Sequence, residues 1–272
     1  MAVVWKGRLN LRGIGKTMRV TFRLIVSALA LAASAFAGSI IVNNDEWPLS
    51  NAGFTNEGAT NGTNFAQNAA LFLTGGPNGG ATKIWIDSGN LGLAGSDLGT
   101  ALSAYTLTDT GFSTFTLSTL QTYQAVFLAG DNLTATEETA LIDYVNSGGG
   151  VYVAAGTGDI TGGAAGEATQ WNAFLNTFDL NLASSFNGIV GTIATDSTSP
   201  VLTGVTQLFY DNGNTVNTTG AGAQIITDQN GAGLIGTYQS ASSSPVPEPS
   251  TVLLVTIAMA GLGLYRRKRR QS

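Results

Sequence analysis

The chain has 272 residues, with 12 basic and 17 acidic side chains, a formal charge of −5, no cysteine and no histidine. Those two absences exclude disulfides, thiol chemistry and every Ser–His or Cys–His nucleophile system, and they remove the commonest general base and metal ligand. Six basic residues lie at or before Arg23 and five at or after Arg266, leaving Lys83 alone against 16 carboxylates between Gly38 and Pro247, a net −15 for that stretch. Such a body repels DNA, RNA and anionic lipid, because phosphate binding needs clustered Lys and Arg.

At the N-terminus, Arg19 and Arg23 form a positive region, Leu24–Leu31 is apolar, and Ala35-Phe36-Ala37 is a small-residue cleavage site that makes Gly38 the first mature residue. Met1–Thr17 adds charge and no pattern, so the signal reads best from Met18. Residues 1–37 are therefore predicted as an extension plus signal peptide. Residues 38–240 form one ectodomain long enough to bury a core.

Within that body, Ser39–Val42 predicts a strand ending in Asn43-Asn44-Asp45-Glu46. Asn64–Leu73 predicts a helix with Phe65, Ala69 and Phe72 on one face, and Gly75-Gly76-Pro77-Asn78-Gly79-Gly80 is a turn cluster. Lys83–Ile86 predicts a strand, Ser96–Ala104 a helix, Thr114–Leu117 a short strand and Ala125–Ala129 a buried strand. Ala135–Val145 predicts a helix opened by a capping box, Thr134 with Glu137, and stopped at Ser147-Gly148-Gly149-Gly150. Val151–Ala155 is a second buried strand and Glu167–Phe178 a helix; Val205–Tyr210 and Gln224–Thr227 are late strands. Strands alternating with helices predict an α/β fold: a single open, mostly parallel sheet with helices on both faces. No repeat of solenoid length is present.

Two stretches of this body, Tyr123-Gln124-Ala125-Val126-Phe127-Leu128-Ala129-Gly130-Asp131 and Leu141-Ile142-Asp143-Tyr144-Val145 through Gly148-Gly149-Gly150-Val151-Tyr152-Val153, resemble the core of the class I glutamine amidotransferase-like, flavodoxin-like proteins, including the trehalose-utilisation type. Ser199-Pro200-Val201-Leu202-Thr203-Gly204-Val205 is similar to a His-Pro element of that group, with Ser199 in the histidine's place. The resemblance implies a flavodoxin-type fold. It does not carry amidotransferase activity across, since the family's catalytic Cys and His have no counterpart here.

The C-terminal end reads as an address. A Ser/Pro linker, 241–250, contains Val246-Pro247-Glu248-Pro249; an uncharged apolar run of 15 residues follows, Thr251–Tyr265, and then the cluster Arg266, Arg267, Lys268, Arg269, Arg270 within a basic tail, 266–272. A bilayer core needs about 20 apolar helical residues, so this transmembrane segment is a marginal permanent span, and its basic end belongs in the cytoplasm. The three parts resemble the PEP-CTERM sorting signal, a module also catalogued as an ice-binding-protein C-terminal domain. The resemblance implies processing by an exosortase at or near the Pro-Glu-Pro, with signal peptidase acting at the other end. It also implies passage through the inner membrane of a Gram-negative bacterium that makes extracellular polysaccharide or biofilm.

Chemistry in the body is limited to carboxylates. Nearly every predicted strand ends at one: Asp45 and Glu46, Asp87, Asp131, Asp159, Asp211, Asp228. Ligands in open α/β sheets bind outside the carboxyl ends of strands, so a rim holding Asp45, Glu46, Asp131 and Asp159 is the candidate site, with calcium as its one candidate cofactor. The competing explanation is that Asp favours turns and helix caps. Asp211-Asn212-Gly213-Asn214 reads as a turn. Gly156-Thr157-Gly158 and Gly162-Gly163 lack the Lys of a phosphate loop and read as plain loops. Lys83 lacks any Ser–Lys motif, and Trp47, Trp85 and Trp171 suit a core better than sugar stacking. These residues predict an exported, non-enzymatic binding or structural domain that contacts extracellular polysaccharide. A carboxylate-dependent, carbohydrate-directed hydrolase is the alternative, and an ice-binding or adhesin-like protein the third.

Overall fold

Apolar, β-branched runs between glycine-rich turns become the central strands of the protein. A computed structural model describes residues 37–195, 198–220, 223–227 and 231–240. Most of the signal-peptide expectation (Ala35 included), the Pro-Glu-Pro linker, the run 251–265, the basic cluster and Asp228 lie outside the described residues.

Five strands run parallel: β1 (Ser39–Asn43), β2 (Lys83–Asp87), β3 (Thr106–Thr110), β4 (Ala125–Ala129) and β5 (Gly150–Ala154). Their spatial order is β1-β5-β4-β2-β3, and β11 (Gly233–Gln239) and β10 (Ala223–Thr227) extend the β1 side antiparallel. A flavodoxin-type sheet orders its strands 2-1-3-4-5. The same pattern appears here when β1, first in sequence, occupies the fifth place. The chain runs outward from β2 to β3 and then back to β4, so the switch in direction falls between β2 and β4.

Helices α1 (Asn51–Glu57), α2 (Ala59–Thr74) and α3 (Ser96–Ala101) cover one face, packing Phe54, Phe65 and Leu98 with Ile41, Ile84, Phe127 and Tyr152. The other face carries α4 (Leu117–Leu120), α5 (Ala135–Asn146) and α6 (Gly163–Leu175), packing Leu120, Leu141 and Trp171 with Ile40, Trp85, Val126 and Val153. Burial on both faces is why the central strands read as unbroken apolar runs. Each large side chain so buried contributes about 1.5–3 kcal/mol. Helix α5 opens with the expected capping box: Thr134 Oγ1 accepts from Glu137 N, and Glu137 Oε2 accepts from Thr134 N at 2.9 Å.

A bent ribbon completes the body. β6 (Leu180–Phe186) pairs with β9 (Asn214–Thr218), and β7 (Val190–Ala194) pairs with β8 (Gln207–Asp211), all antiparallel. Two bonds, Asn187 N to Gly213 O at 2.9 Å and Asn212 N to Ile189 O at 2.7 Å, join these pairs into one strap. Leu182 and Val216 pack on the α6 face, whereas Leu208 and Tyr210 pack on the α2 face. The strap therefore crosses the carboxyl edge of the sheet beside β1, where Asn214 N donates to Asn44 O at 2.9 Å. Gly156 permits the crossing: its φ is +69°, and a Cβ would sit 2.8 Å from Gly213 Cα.

The expected strand at Thr114–Leu117 is not formed. Phe115 is a buried loop residue leading into α4, and the strand is β3, whose alternating Thr-Leu-Thr-Asp-Thr is half exposed and carried no continuous apolar signal. Helix α2 starts five residues before the expected Asn64, α3 stops at Ala101, and α6 starts at Gly163 with a 3₁₀ turn over Asn176–Phe178. Segment 211–214 is the bend of the strap, with Asn212 at φ +71°. Among the described residues, no helix is long and apolar enough to cross a membrane.

Candidate functional site

The strand-end carboxylates divide between two places on the carboxyl edge. Asp45, fully buried after β1, accepts from Trp47 N at 3.4 Å and from the backbone amide of Asp211 in the strap. Burial, aided by Asp211, raises its carboxyl to about 7 despite those bonds. Glu57, at the end of α1, does the same work one residue pair along: its Oε2 accepts from Phe209 N at 2.9 Å. Burial lifts Glu57 to about 8. Asp211 itself is exposed.

The second place is the switch point. A cavity of about 510 Å³ opens there, lined by residues after β2 (Gly89), after β3 (Phe112–Phe115), after β4 (Gly130–Thr134), by Glu137 of α5 and by Asp159 after β5. Asp131 and Asp159 thus share one crevice, whereas Asp45 does not line it. Asp131 is only 6% exposed, and its Oδ2 has no hydrogen-bond partner. Burial raises its carboxyl to about 8, with further repulsion from Asp87 and Glu137. Asp87 is held by Thr110 Oγ1 and Ser113 N, both at 2.9 Å, yet its Oδ2 is also without a partner. Burial raises Asp87 too. Glu137 is the exception: burial pushes it up, but bonds from Thr134 and Phe115 N outweigh that and hold it below its ordinary value.

Asp159 is positioned from two sides. Asn90 Nδ2 donates to its Oδ2 at 2.7 Å, and its backbone amide donates to Thr157 Oγ1. Thr157 in turn is fixed by Glu167 of α6, whose carboxylate also takes the Gly156 and Thr157 amides at 2.6 and 3.0 Å. The amides a phosphate would need are therefore already occupied by a carboxylate. Gly130, at φ +74°, gives Asp159 room, since a Cβ there would come within 2.9 Å of Asp159 Oδ2. Glu46 lies between the two places: burial first and then Asp45, Asp159 and Glu167 raise it to about 8 against an opposing influence of the Asn90 side chain. Its Oε2 has no hydrogen-bond partner.

Asn90, Phe112, Glu57 and Glu167 were not singled out as site residues from sequence. The partners of Glu57 and Asn90 lie far along the chain. Glu167 caps a loop 10–11 residues before it with no motif to mark it, and Phe112 has only the preceding Gly111. Trp85 and Trp171 are buried in the core, and Trp47 packs edge-on against Phe209 at 5.8 Å. Lys83 is exposed at the amino end of β2, the opposite edge from the crevice. Among the described residues, no three acidic side chains converge closely enough to hold a metal ion.

Residues 245–270 match the PEP-CTERM protein-sorting motif. The motif marks the chain for export, transient anchoring through its C-terminus and exosortase processing. No curated protein and no solved structure matches the chain.

The two ends of the body leave from the edge opposite the crevice. Gly38 begins β1 there, and its carbonyl accepts from Ser240 N, just past β11, at 2.8 Å.

Proposed function

We propose that this exosortase-sorted protein carries a non-catalytic α/β binding domain, that it works at the cell surface or in the extracellular polysaccharide of a Gram-negative bacterium, and that the switch-point crevice is its ligand site. Signal peptidase removes residues 1–37, and exosortase acts at Val246-Pro247-Glu248-Pro249 after the basic cluster has held the tail in the inner membrane. The observation that carries the reading is Asp131: a nearly buried carboxyl with an unpartnered oxygen, lining a preformed cavity where open α/β sheets bind ligands. The placement of Gly38 and Ser240 at the opposite edge of the sheet supports it.

The test is calorimetric titration of the exported protein with fragments of the producing cell's polysaccharide, and with calcium for the cation version of the rim. Saturable binding of fragments that emerge unshortened is the expected result; no heat from either would remove the binding reading. A hydrolase is the second reading, favoured because Asp131 and Asp159 share one cavity in unlike environments, as an acid and base pair requires. Shortened fragments would establish it.

A further inference from the structure

We propose that the crevice takes a compact organic cation, with an ammonium group seated at Asp131 and the ligand's carbon frame against Phe112. The inference rests on the crevice being a ligand site and goes further by fixing the ligand's charge. Every ionisable group on or behind the cavity wall is acidic: Asp131 after β4, Asp87 from β2, Glu137 from α5 and Asp159 after β5. Lys83, the one basic residue between Gly38 and Pro247, sits at the far edge of the sheet. An anion entering this cavity meets repulsion with nothing to offset it.

A neutral hydroxyl could bond to one of the unpartnered oxygens of Asp131 and Asp87, but it would leave the mutual repulsion of Asp131, Asp87 and Glu137 in place. A cation satisfies the oxygen and offsets the repulsion together. Calcium takes six to eight oxygen ligands at short range, and among the described residues the acidic groups do not gather that way. One ammonium needs far less.

Phe112 supplies the other contact. It is 50% exposed at the cavity mouth, with its backbone at φ +43°, a conformation bulky residues rarely adopt. Its ring lies over Gly89, which has no Cβ to push it aside. A ring held at the mouth of an acidic cavity suits an ammonium ligand, because cations are attracted to aromatic faces. Glu137, kept ionised by its cap bonds, adds a fixed negative charge.

Binding of an ammonium favours ionised Asp131 and so displaces its proton. With that carboxyl at about 8, affinity rises with pH up to that value and then levels.

The experiment is calorimetry on the exported protein with n-butylammonium, 1-butanol and butyrate, which share a small frame and differ in charge, at about pH 6 and about pH 9. Butylammonium is expected to bind about tenfold or more tighter than butanol, to tighten about tenfold or more across that range, and to release a proton, read as heat that varies with the buffer's ionisation enthalpy. Butyrate is expected not to bind. Asp131→Asn should abolish both the charge preference and the pH dependence while melting no lower than the parent. Phe112→Ala should weaken butylammonium by about two- to fivefold. Putrescine and glucosamine then rank polyamine against amino-sugar sources of the ammonium.

Equal affinity for butanol, an unchanged response in Asp131→Asn, or displacement of butylammonium by stoichiometric calcium would each overturn the inference. Silence toward every cation overturns it as well. Binding of neutral polysaccharide fragments in that case would leave the binding-domain reading standing.

Discussion

Two ends of one sheet edge use the same residue type for opposite purposes. At the β1 end, Asp45 accepts backbone amides on both oxygens, Trp47 N at Oδ1 and Asp211 N at Oδ2. The nearby Glu57 accepts Phe209 N at Oε2, while its Oε1 keeps no partner. Asp211 and Phe209 supply the alternate amides of β8 that point away from β7. Without these acceptors β8 would present unpaired donors in a part-buried setting, a costly arrangement for an edge strand. At the β2–β4 end, Asp87 and Asp131 are just as hidden and also keep one unpartnered oxygen each, but no strand crosses them and Asp131 lines a cavity. The first end is closed by its carboxylates; the second is left open by them. A strand-end aspartate is tied to the fold where a backbone crosses it, and lines a cavity where none does.

The sharpest way to break the comparison is to remove an acceptor at each end. Asp45→Ala leaves the part-buried Asp211 amide without its acceptor and opens a small void, so it should cost about 2–4 kcal/mol. In a domain of this size that lowers Tm by roughly 5–15 °C. Asp131→Asn, which removes the titrating group and leaves the neighbouring hydrogen bonds in place, should cost nothing. Hydrogen exchange at the amides of Phe209 and Asp211 should accelerate in the first variant alone. Equal losses in both would show that the two ends do not differ.

The pH dependence sharpens it next. Asp45 near 7 and Glu46, Glu57 and Asp131 near 8 all stand above their unfolded values, so the native state holds more protons than the unfolded chain between about pH 4 and pH 8. Their stabilising effect is fully present below the unfolded values and is lost as pH rises through the folded ones. Stability should therefore fall from about pH 5 to about pH 8, which a series of urea denaturations would measure. Asp131→Asn should flatten the slope by up to one proton, and so gain most over the parent at the alkaline end. A parent whose stability climbs across that window would contradict the assignment of these carboxyls as buried acids.

The central strands could be read because their residues face apolar layers on both sides, so β4 and β5 are nearly continuous hydrophobic runs. The capping box of α5 was legible because Thr134 and Glu137 are three residues apart and need no distant partner. The strap was not: β7 alternates exposed and half-exposed residues, and the pairing of β6 with β9 closes over a long stretch of chain. For the same reason the two roles of aspartate looked alike. Asp45 and Asp131 each follow a strand, and what separates them is an amide 166 residues away from Asp45. Nothing local to either residue announces it.

The smallest expected effect concerns the mouth of the open end. Phe112 adopts φ +43°, and left-handed backbone costs a residue with a Cβ about 1 kcal/mol relative to glycine. The ring recovers part of that by lying over Gly89. Truncation to alanine loses the ring and keeps the strain; truncation to glycine loses the ring and relieves it. Phe112→Gly should therefore be more stable than Phe112→Ala by about 1 kcal/mol, a difference of roughly 2–4 °C in Tm. The order matters more than the size. If alanine is the more stable of the two, the backbone at the mouth is not strained, and the ring's position owes nothing to a held conformation. If glycine wins, the open end of the sheet spends stability to keep an aromatic ring at the mouth of the cavity that Asp131 lines.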